Sequence, residues 1–457
     1  MNAAHALGIA AAVLRHRTAS RAEIVRFQEA QLGRLIAHAY DAVPYYRALF
    51  ARHSVKPSDI RTIADLSLVP MSARRNFQQA DVMELMARGL DLSRLLTYRT
   101  SGSTGEPLTV RRTWLEERVN SAFRIRAFHD FGVRARDARV VLWAGGGVLT
   151  AQGRNRDGVQ RALRSLGWYR KTNLDYRVSD AKLLERLAML KSDVLSASPA
   201  LLARTGRAMA RIRPGAIAPR LVISGGEVLT PHERRQISEM LGGRVVDMYS
   251  SHELGLIGWE CPSGIGFHVA DDSLIVEVIK DDRPAAPGEA GEVVATRLHA
   301  YAMPFIRYRT GDIVTRGPAP CPCGAGFSSI LTVQGRMIDY FELPDGRLMH
   351  PNEIVVNLLR HAERWIGQYQ LTQETRERVV LQIASLGPPP AEKVTAIERH
   401  ARAALGAGVD FELQLVPEIP FEINGKFRIS RSLVRSVYDE VDWQRRRAED
   451  LASLERR

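Results

Sequence analysis

The sequence is poor in cysteine, with three among 457 residues. So few cannot build a disulfide framework, which points to a reducing, cytoplasmic setting. It also lacks any apolar run long enough to span a bilayer. The N-terminal stretch "HALGIAAAVLRHR" has no basic region before it. Arginine follows where a secretory signal would have small residues, so the stretch reads as a surface or docking helix, with a monotopic membrane contact as the alternative. Internal repeats and low-complexity segments are absent. Charge is unbalanced, with 64 Lys+Arg against 51 Asp+Glu and a formal net charge of +13. That excess suits nucleic acid, an anionic membrane or polyanionic small molecules such as nucleotides. The bases are spread along the chain, however. The C-terminal "WQRRRAEDLASLERR" mixes both signs and reads as a solvated helix, and no nucleic-acid module is present.

Apolar spacing then divides the chain. To about Leu96 the pattern is helical, interrupted at Pro44 in "RAEIVRFQEAQLGRLIAHAYDAVPYYRALFARHSV". From about Arg139 short apolar strands alternate with helices, which predicts a largely parallel α/β sheet. Within it, "TPHERRQISEML" predicts a helix capped by Thr230 with Pro231 at its first position. Residues 266–316 change to period-two strands such as "DSLIVEVI" and "GEVVATRL", predicting an antiparallel subdomain. After about Asp339 the pattern restarts as paired strands, a helix "PAEKVTAIERHARAAL" and a further strand, a compact α+β unit. The expected organisation is a large domain, 1–338, and a small one, 339–457.

Six segments carry candidate chemistry. In "TYRTSGSTGEPLTV", Thr100, Ser101, Ser103 and Thr104 supply hydroxyls, while Gly102 and Gly105 let backbone N–H groups approach an anion. The loop lacks the lysine and spacing of a P-loop. "ISGGEVLTP" and "DMYSSHELG" each follow a predicted strand, and "MPFIRYRTGDIV", "GRMIDYFELPDG" and "IPFEINGKFR" come next. With all six in this order, the sequence resembles the adenylate-forming superfamily, most nearly its phenylacetate–coenzyme A ligase and capsule-locus branch. The resemblance runs from about residue 20 to the C-terminus. It implies a large domain with mixed sheets and a small mobile α+β C-terminal domain.

The resemblance also assigns roles. The Thr100–Gly105 loop would close on the β- and γ-phosphates of ATP. Ser224, Gly225, Gly226 and Glu227 would line the adenine side, with Tyr249 against the base. Glu253 would hold magnesium, which favours oxygen ligands and substrate phosphates. Asp312 would accept both ribose hydroxyls, and Arg336 would lie near the ribose. Asp339 would be the hinge, and Lys426 would meet negative charge between the α-phosphate and the carboxylate. Trp143, Ala144 and Gly145 in "LWAGGGVLT" would line the acyl pocket, suiting an aromatic or aryl-acetic acid, and His252 would touch phosphate or substrate. Taken singly, Glu253 also reads as a helix-start acid, Asp312 as a turn residue, and His252 as a structural histidine.

The implied activity is activation of a carboxylic acid to an acyl-adenylate, followed by thioester formation with coenzyme A. Transfer to an amine, a hydroxyl or a carrier-protein thiol is the alternative, and a non-catalytic nucleotide-binding protein is the alternative of another class. An oligomer is compatible with either. The chain departs from the family pattern in places. Leu108 follows Pro107 where many members have lysine, Ser250 follows Tyr249 where glycine is usual, His252 stands where Thr or Ser is common, and Ile338 replaces an acid.

The three cysteines then find a use. Cys261, His268, Cys321 and Cys323 supply three thiolates and an imidazole, a common tetrahedral zinc set, although C-x6-H and C-x-C differ from finger spacing. Related ligases carry a similar arrangement. Three free thiols in a reducing compartment is the competing reading, while a Cys321–Cys323 disulfide would be strained. A metal there would tie the segment after Glu253 to the segment after Asp312, behind the nucleotide site.

Overall fold

The computed structural model describes residues 3–99, 108–143, 170–336, 341–349, 351, 354, 365–420 and 427–434. The chain divides into two compact units, Met1–Gln334 and Gly335–Arg457.

The first unit begins with helices α1 (Ala3–Arg15), α2 (Arg21–Ala42), α3 (Pro44–Arg52), α4 (Arg74–Gln79) and α5 (Val82–Leu85). Ser20 caps α2 in a reciprocal box with Glu23, satisfying N–H groups that the helix cannot. Pro44 opens α3 at a position needing no N–H donor. One side of α1 buries Ala6, Ile9 and Val13 in the main core. No helix among the described residues is long and apolar enough to cross a membrane.

Strands β1 (Leu96–Arg99) and β2 (Thr109–Arg112) pair antiparallel, and α6 (Trp114–Asp130) follows from a Thr113–Glu116 capping box. Then come β3 (Arg139–Trp143), β4 (Lys171–Asp175), α7 (Asp180–Leu190), β5 (Val194–Ala197), α8 (Pro199–Ile212), β6 (Leu221–Gly225), α9 (Pro231–Leu241) and β7 (Arg244–Ser251). Thr230 caps α9 in a box with Glu233, with Pro231 next, as the sequence predicts. Strands β3 to β7 pair parallel. Leu183, Leu187, Leu202, Ile237 and Leu241 from α7, α8 and α9 pack against Val140, Leu195 and Val222 of these strands.

Strands β8 (Gly255–Glu260), β9 (Phe267–Val269), β10 (Leu274–Lys280), β11 (Arg283–Pro284), β12 (Ala290–Arg297), β13 (Tyr308–Arg316) and β14 (Ser329–Arg336) complete the unit. They do not form a separate sheet. The β7–β8 hairpin joins them to the parallel strands in one twelve-stranded sheet of order β11-β10-β12-β13-β14-β9-β8-β7-β6-β5-β3-β4. Alternation in the sequence marked the antiparallel half correctly. It could not show that the edge of one half pairs with the edge of the other.

A buried charge cluster pins the helices to this sheet. Arg126 of α6, fully buried, donates from Nη1 to Asp272 Oδ2 at 2.5 Å. His16 Nδ1 meets the same oxygen at 2.9 Å, and the His299 ring meets the Asp272 carbonyl at 2.8 Å. Next door, Arg21 Nη1 donates to Asp271 Oδ2 at 2.5 Å, and Ser328 N–H donates to it at 2.6 Å. Burial alone would raise the Asp272 carboxyl, but Arg126 and His16 outweigh it and hold it at about 2. Burial pulls His299 down to about 4, so it is neutral. Among the described residues Arg126 Nε and Nη2 have no hydrogen-bond acceptor. The guanidinium instead lies 4.5 Å from the ring centroids of both Trp259 and Phe327.

In the second unit, β15 (Phe341–Glu342) and β16 (Leu348–Met349) form a ribbon. Strands β17 (Ile366–Thr375) and β18 (Arg378–Ser385), helix α10 (Ala391–Leu405), and strands β19 (Asp410–Val416) and β20 (Ser430–Ser432) form a sheet-and-helix layer. Its order is β19-β18-β17-β20, with only the central pair antiparallel. Ile397, Ala401 and Leu405 of α10 cover Leu371, Leu381, Ile383 and Phe411.

Removing one member of a fully buried ion pair leaves the other charge uncompensated. Arg126→Leu is therefore expected to cost about 3–5 kcal/mol in urea unfolding, and Arg126→Leu/Asp272→Leu to recover part of it.

Candidate functional site

In an open α/β sheet, the carboxyl ends of the parallel strands leave a crevice where ligands bind. Ser224 and Gly225 end β6, and Gly226 and Glu227 begin the turn that follows. On the neighbouring β7, Ser224 pairs with Asp247 and Gly225 with Met248, so Tyr249 comes next to this turn. The Tyr249 hydroxyl donates to Asp312 Oδ2 at 2.6 Å. Strands β7 and β13 are separated by β8, β9 and β14. A flat sheet would hold their backbones about 19 Å apart, beyond the reach of the two side chains. The sheet must curl for this contact to form, and the curl brings two sequence-distant motifs to one place.

Asp312 sits within β13, at a bulge where the pairing with β12 shifts register between Glu292 and Val294. Its N–H donates to Thr310 Oγ1 at 3.0 Å. Glu292 of β12 accepts the Gly311 N–H at 3.2 Å and Arg309 Nε at 2.8 Å. Beneath Tyr249, burial pushes the Asp247 carboxyl up to about 6, against hydrogen bonding from Ser224 and the Arg234 charge.

Glu253 lies in the β7–β8 turn, buried. Its Oε1 is 3.4 Å from Arg74 Nη1. Two further arginines hold the backbone of the turn: Arg297 Nη1 donates to the Glu253 carbonyl at 3.1 Å, and Arg112 Nη2 donates to the His252 carbonyl. Burial, with Arg112 nearby, pulls the Arg297 guanidinium down to about 9. Gly255 closes the turn at φ +79°, and a Cβ there would collide with Asn120 Oδ1 on α6. The ring of the exposed His252 stacks on Tyr98 with centroids 5.6 Å apart and planes 27° from parallel.

The structure thus brings Ser224–Glu227, Tyr249 and Asp312 together, with Glu253 and His252 on the same hairpin as Tyr249. Trp143 is the half-buried last residue of β3, and Arg336 ends β14. Thr100, Ser101, Gly102, Ser103, Thr104, Gly105, Ala144, Gly145, Asp339 and Lys426 lie outside the described residues. Sequence reasoning missed Arg74, Arg112, Asp247, Glu292 and Arg297. The arginines resemble surface charges in the sequence, and only their burial distinguishes them.

The candidate metal centre is separate. The ligand atoms of Cys261, His268, Cys321 and Cys323 all lie within 4.8 Å of one another. Cys261 Sγ is 4.0 Å from Cys321 Sγ, and His268 Nε2 is 3.1 Å from Cys323 Sγ. Two sulfurs on one tetrahedral zinc lie about 3.8 Å apart, so the set fits that ion. Two turns of the same sequence, Cys-Pro-x-Gly, present it: Gly264 N–H donates to the Cys261 carbonyl at 2.9 Å, and Gly324 N–H to the Cys321 carbonyl at 3.1 Å. Both glycines have positive φ, which the tight turn requires. That repeated tetrapeptide is itself a signal in the sequence. Burial and the neighbouring thiols push the Cys321 thiol up to about 12, an unfavourable place for a thiolate without a cation beside it.

The chain is similar to curated proteins named phenylacetate-coenzyme A ligase. That of Thermus thermophilus is 26% identical over 366 residues, 78% of this chain and 79% of the relative. That of Escherichia coli is 26% identical over 308 residues, 65% and 68% of the two chains. No protein-family model matches. Among solved structures, 2-hydroxyisobutyryl-CoA ligase in its postadenylation state with R3-HIB-AMP aligns with a TM-score of 0.75 at 19% identity, covering 94% of both chains. Anthranilate CoA ligase with anthranoyl-AMP aligns with a TM-score of 0.52 at 15% identity, covering 74% of this chain and 67% of that one. The large mixed sheet and small sheet-and-helix unit are the fold of these ligases.

At Gly255 the positive φ strains any side chain, and Asn120 would have to shift to admit a Cβ. Gly255→Ala is expected to cost at least about 1–2 kcal/mol, measured by urea unfolding.

Proposed function

We propose that this chain, related in sequence to phenylacetate–coenzyme A ligases and built on the fold of adenylate-forming CoA ligases, activates a carboxylic acid with ATP and passes the acyl group to coenzyme A. The observation that carries this reading is the 2.6 Å hydrogen bond between Tyr249 and Asp312. It puts a flat ring and a carboxylate side by side at the strand ends, a combination suited to a purine and a ribose diol. The names of the sequence relatives support an aromatic or aryl-acetic acid. The cysteine content supports a cytoplasmic setting.

A carboxylate is a poor electrophile, because its charge is delocalised and its oxygen leaves badly. In the first step its oxygen attacks the α-phosphorus, the bond to the β-phosphate oxygen breaks, and pyrophosphate departs. In the second, the thiolate of coenzyme A attacks the acyl carbon and AMP departs, the thiol proton going to solvent. In-line attack needs positioning and charge neutralisation more than covalent help. Asp312 is assigned the ribose hydroxyls, with its bulge set by Glu292 and Thr310. Tyr249 is assigned the adenine face, and Ser224–Glu227 its edge. The Thr100–Gly105 loop is assigned the outer phosphates, and Arg336 the ribose side. Lys426 is assigned the charge that builds between α-phosphate and carboxylate.

Glu253 fits a magnesium ion as a buried carboxylate in the hairpin turn, with Arg74 Nη1 3.4 Å away. A bound magnesium would neutralise phosphate charge. Cys261, His268, Cys321 and Cys323 fit a structural zinc. Cys261 follows the hairpin that carries Glu253, and Cys321 follows the strand that carries Asp312, so such an ion would staple the two ends together.

Lys426→Ala is expected to abolish acid-dependent ATP–pyrophosphate exchange while leaving thioester formation from supplied acyl-adenylate largely intact; normal exchange would refute the assignment. Elemental analysis should find about one zinc per chain. Chelation should lower both the unfolding midpoint and ATP affinity, and a chelated protein unchanged in both would refute the staple.

A further inference from the structure

Helix α1 is apolar on both sides. Ala6, Ile9 and Val13 join the main core, and Ala12 is buried with them. At the pitch of an α-helix, Ala4, Leu7, Gly8, Ala11 and Leu14 fall together on the opposite side, and all five are exposed. Leu7 is 72% exposed and Leu14 65%. They lie two turns apart, so both reach the same plane. A helix that is apolar all round normally has both faces covered, because each gains by leaving water. Here only the inner one is.

The charge beside this face has one sign. Residues 1–22 hold Arg15, Arg17 and Arg21 and no Asp or Glu. Arg15 ends α1 on its outer side and Arg17 follows, both exposed. Arg21 is engaged by Asp271 at 2.5 Å, and the first acid, Glu23, is folded back onto Ser20. A second copy of this face would set cation against cation, with no acid in residues 1–22 to meet them. The face also has no aromatic anchor of the kind that dominates protein interfaces. An anionic phospholipid surface supplies both complements: phosphates for the arginines and, just beneath, acyl chains for the leucines. At 13 residues α1 is too short to cross a bilayer, so the contact is peripheral.

We propose that α1 docks the protein on an anionic phospholipid bilayer. Leu7 and Leu14 enter the boundary between headgroups and acyl chains, Ala4, Gly8 and Ala11 let the helix lie close to it, and Arg15 and Arg17 meet headgroup phosphates. The inner face stays on the core, so attachment requires no unfolding of the first unit. With two leucines and two exposed arginines the contact is reversible and weakened by salt. It goes beyond the ligase reading and does not depend on it.

The test is flotation of the full chain with phosphatidylcholine vesicles containing about a third phosphatidylglycerol, alongside sedimentation of the chain alone and its unfolding midpoint. Wild type should float with these vesicles, less so as salt rises, and should not float with phosphatidylcholine alone. Leu7→Gln/Leu14→Gln keeps every charge and should weaken binding about tenfold or more with an unchanged midpoint, because both side chains are exposed. Arg15→Gln/Arg17→Gln should weaken it as well and remove much of the salt dependence. If the leucine variant floats as wild type does, net charge alone adsorbs the chain and the proposal is overturned. Equal binding to neutral vesicles overturns it too, as does a wild type that does not float. A dimer in sedimentation that the leucine variant dissolves, without flotation, would overturn it in favour of a second copy as the occupant.

Discussion

The buried pair between Arg126 and Asp272 is the contact on which the first unit depends. Both side chains are fully buried, a position neither charge could hold alone. Through it α6, the end of α1 at His16 and the loop before β10 converge on one carboxylate. Arg126 also lies against Trp259 of β8 and Phe327, and Trp259 meets the His268 ring edge-on at 5.2 Å. The charge pair therefore underlies the aromatic wall beside the Cys261–His268–Cys321–Cys323 cluster, and ties the N-terminal helices to the sheet in the same place.

The same logic, charged groups buried to hold backbone, recurs nearer the site. Arg297 and Arg112 hold successive carbonyls of the turn that carries Glu253. Glu116 accepts the N–H groups of Tyr301 and Ala302 at 2.5 and 2.7 Å. Glu292 braces the strand bulge before Asp312. Burying a charge is costly, and each of these offsets the cost with hydrogen bonds to backbone groups that would otherwise be unsatisfied. Segments that lack regular hydrogen bonding gain a defined shape from them.

Much of this was legible in advance. The capping signals at Thr230 and Pro231, the break at Pro44, the change to period-two strands and the restart after Asp339 are local, and local rules read them. The motif segments around Ser224, Tyr249, Glu253 and Asp312 stood out in order, as did the Cys/His set. The supporting residues did not. Arg126 within "FRIRAFHD", Arg297 within "VVATRLHA" and Arg112 within "TVRRTW" have the spacing of solvated charges, and their burial comes from strands far away in sequence. His252 neighbours Glu253 in the sequence, which allows a phosphate or substrate contact or a structural histidine, and nothing there sets its ring against Tyr98.

By itself the sequence determined many of the elements, their order and the candidate residues, because helix caps, side-chain periodicity and short motifs act over a few residues. Tertiary structure alone decided that the parallel and antiparallel strands share one sheet. It also decided that this sheet curls until Tyr249 reaches Asp312. Strand-edge pairing, sheet curvature and the burial of charge depend on which distant segments meet, and that information is spread over the whole chain.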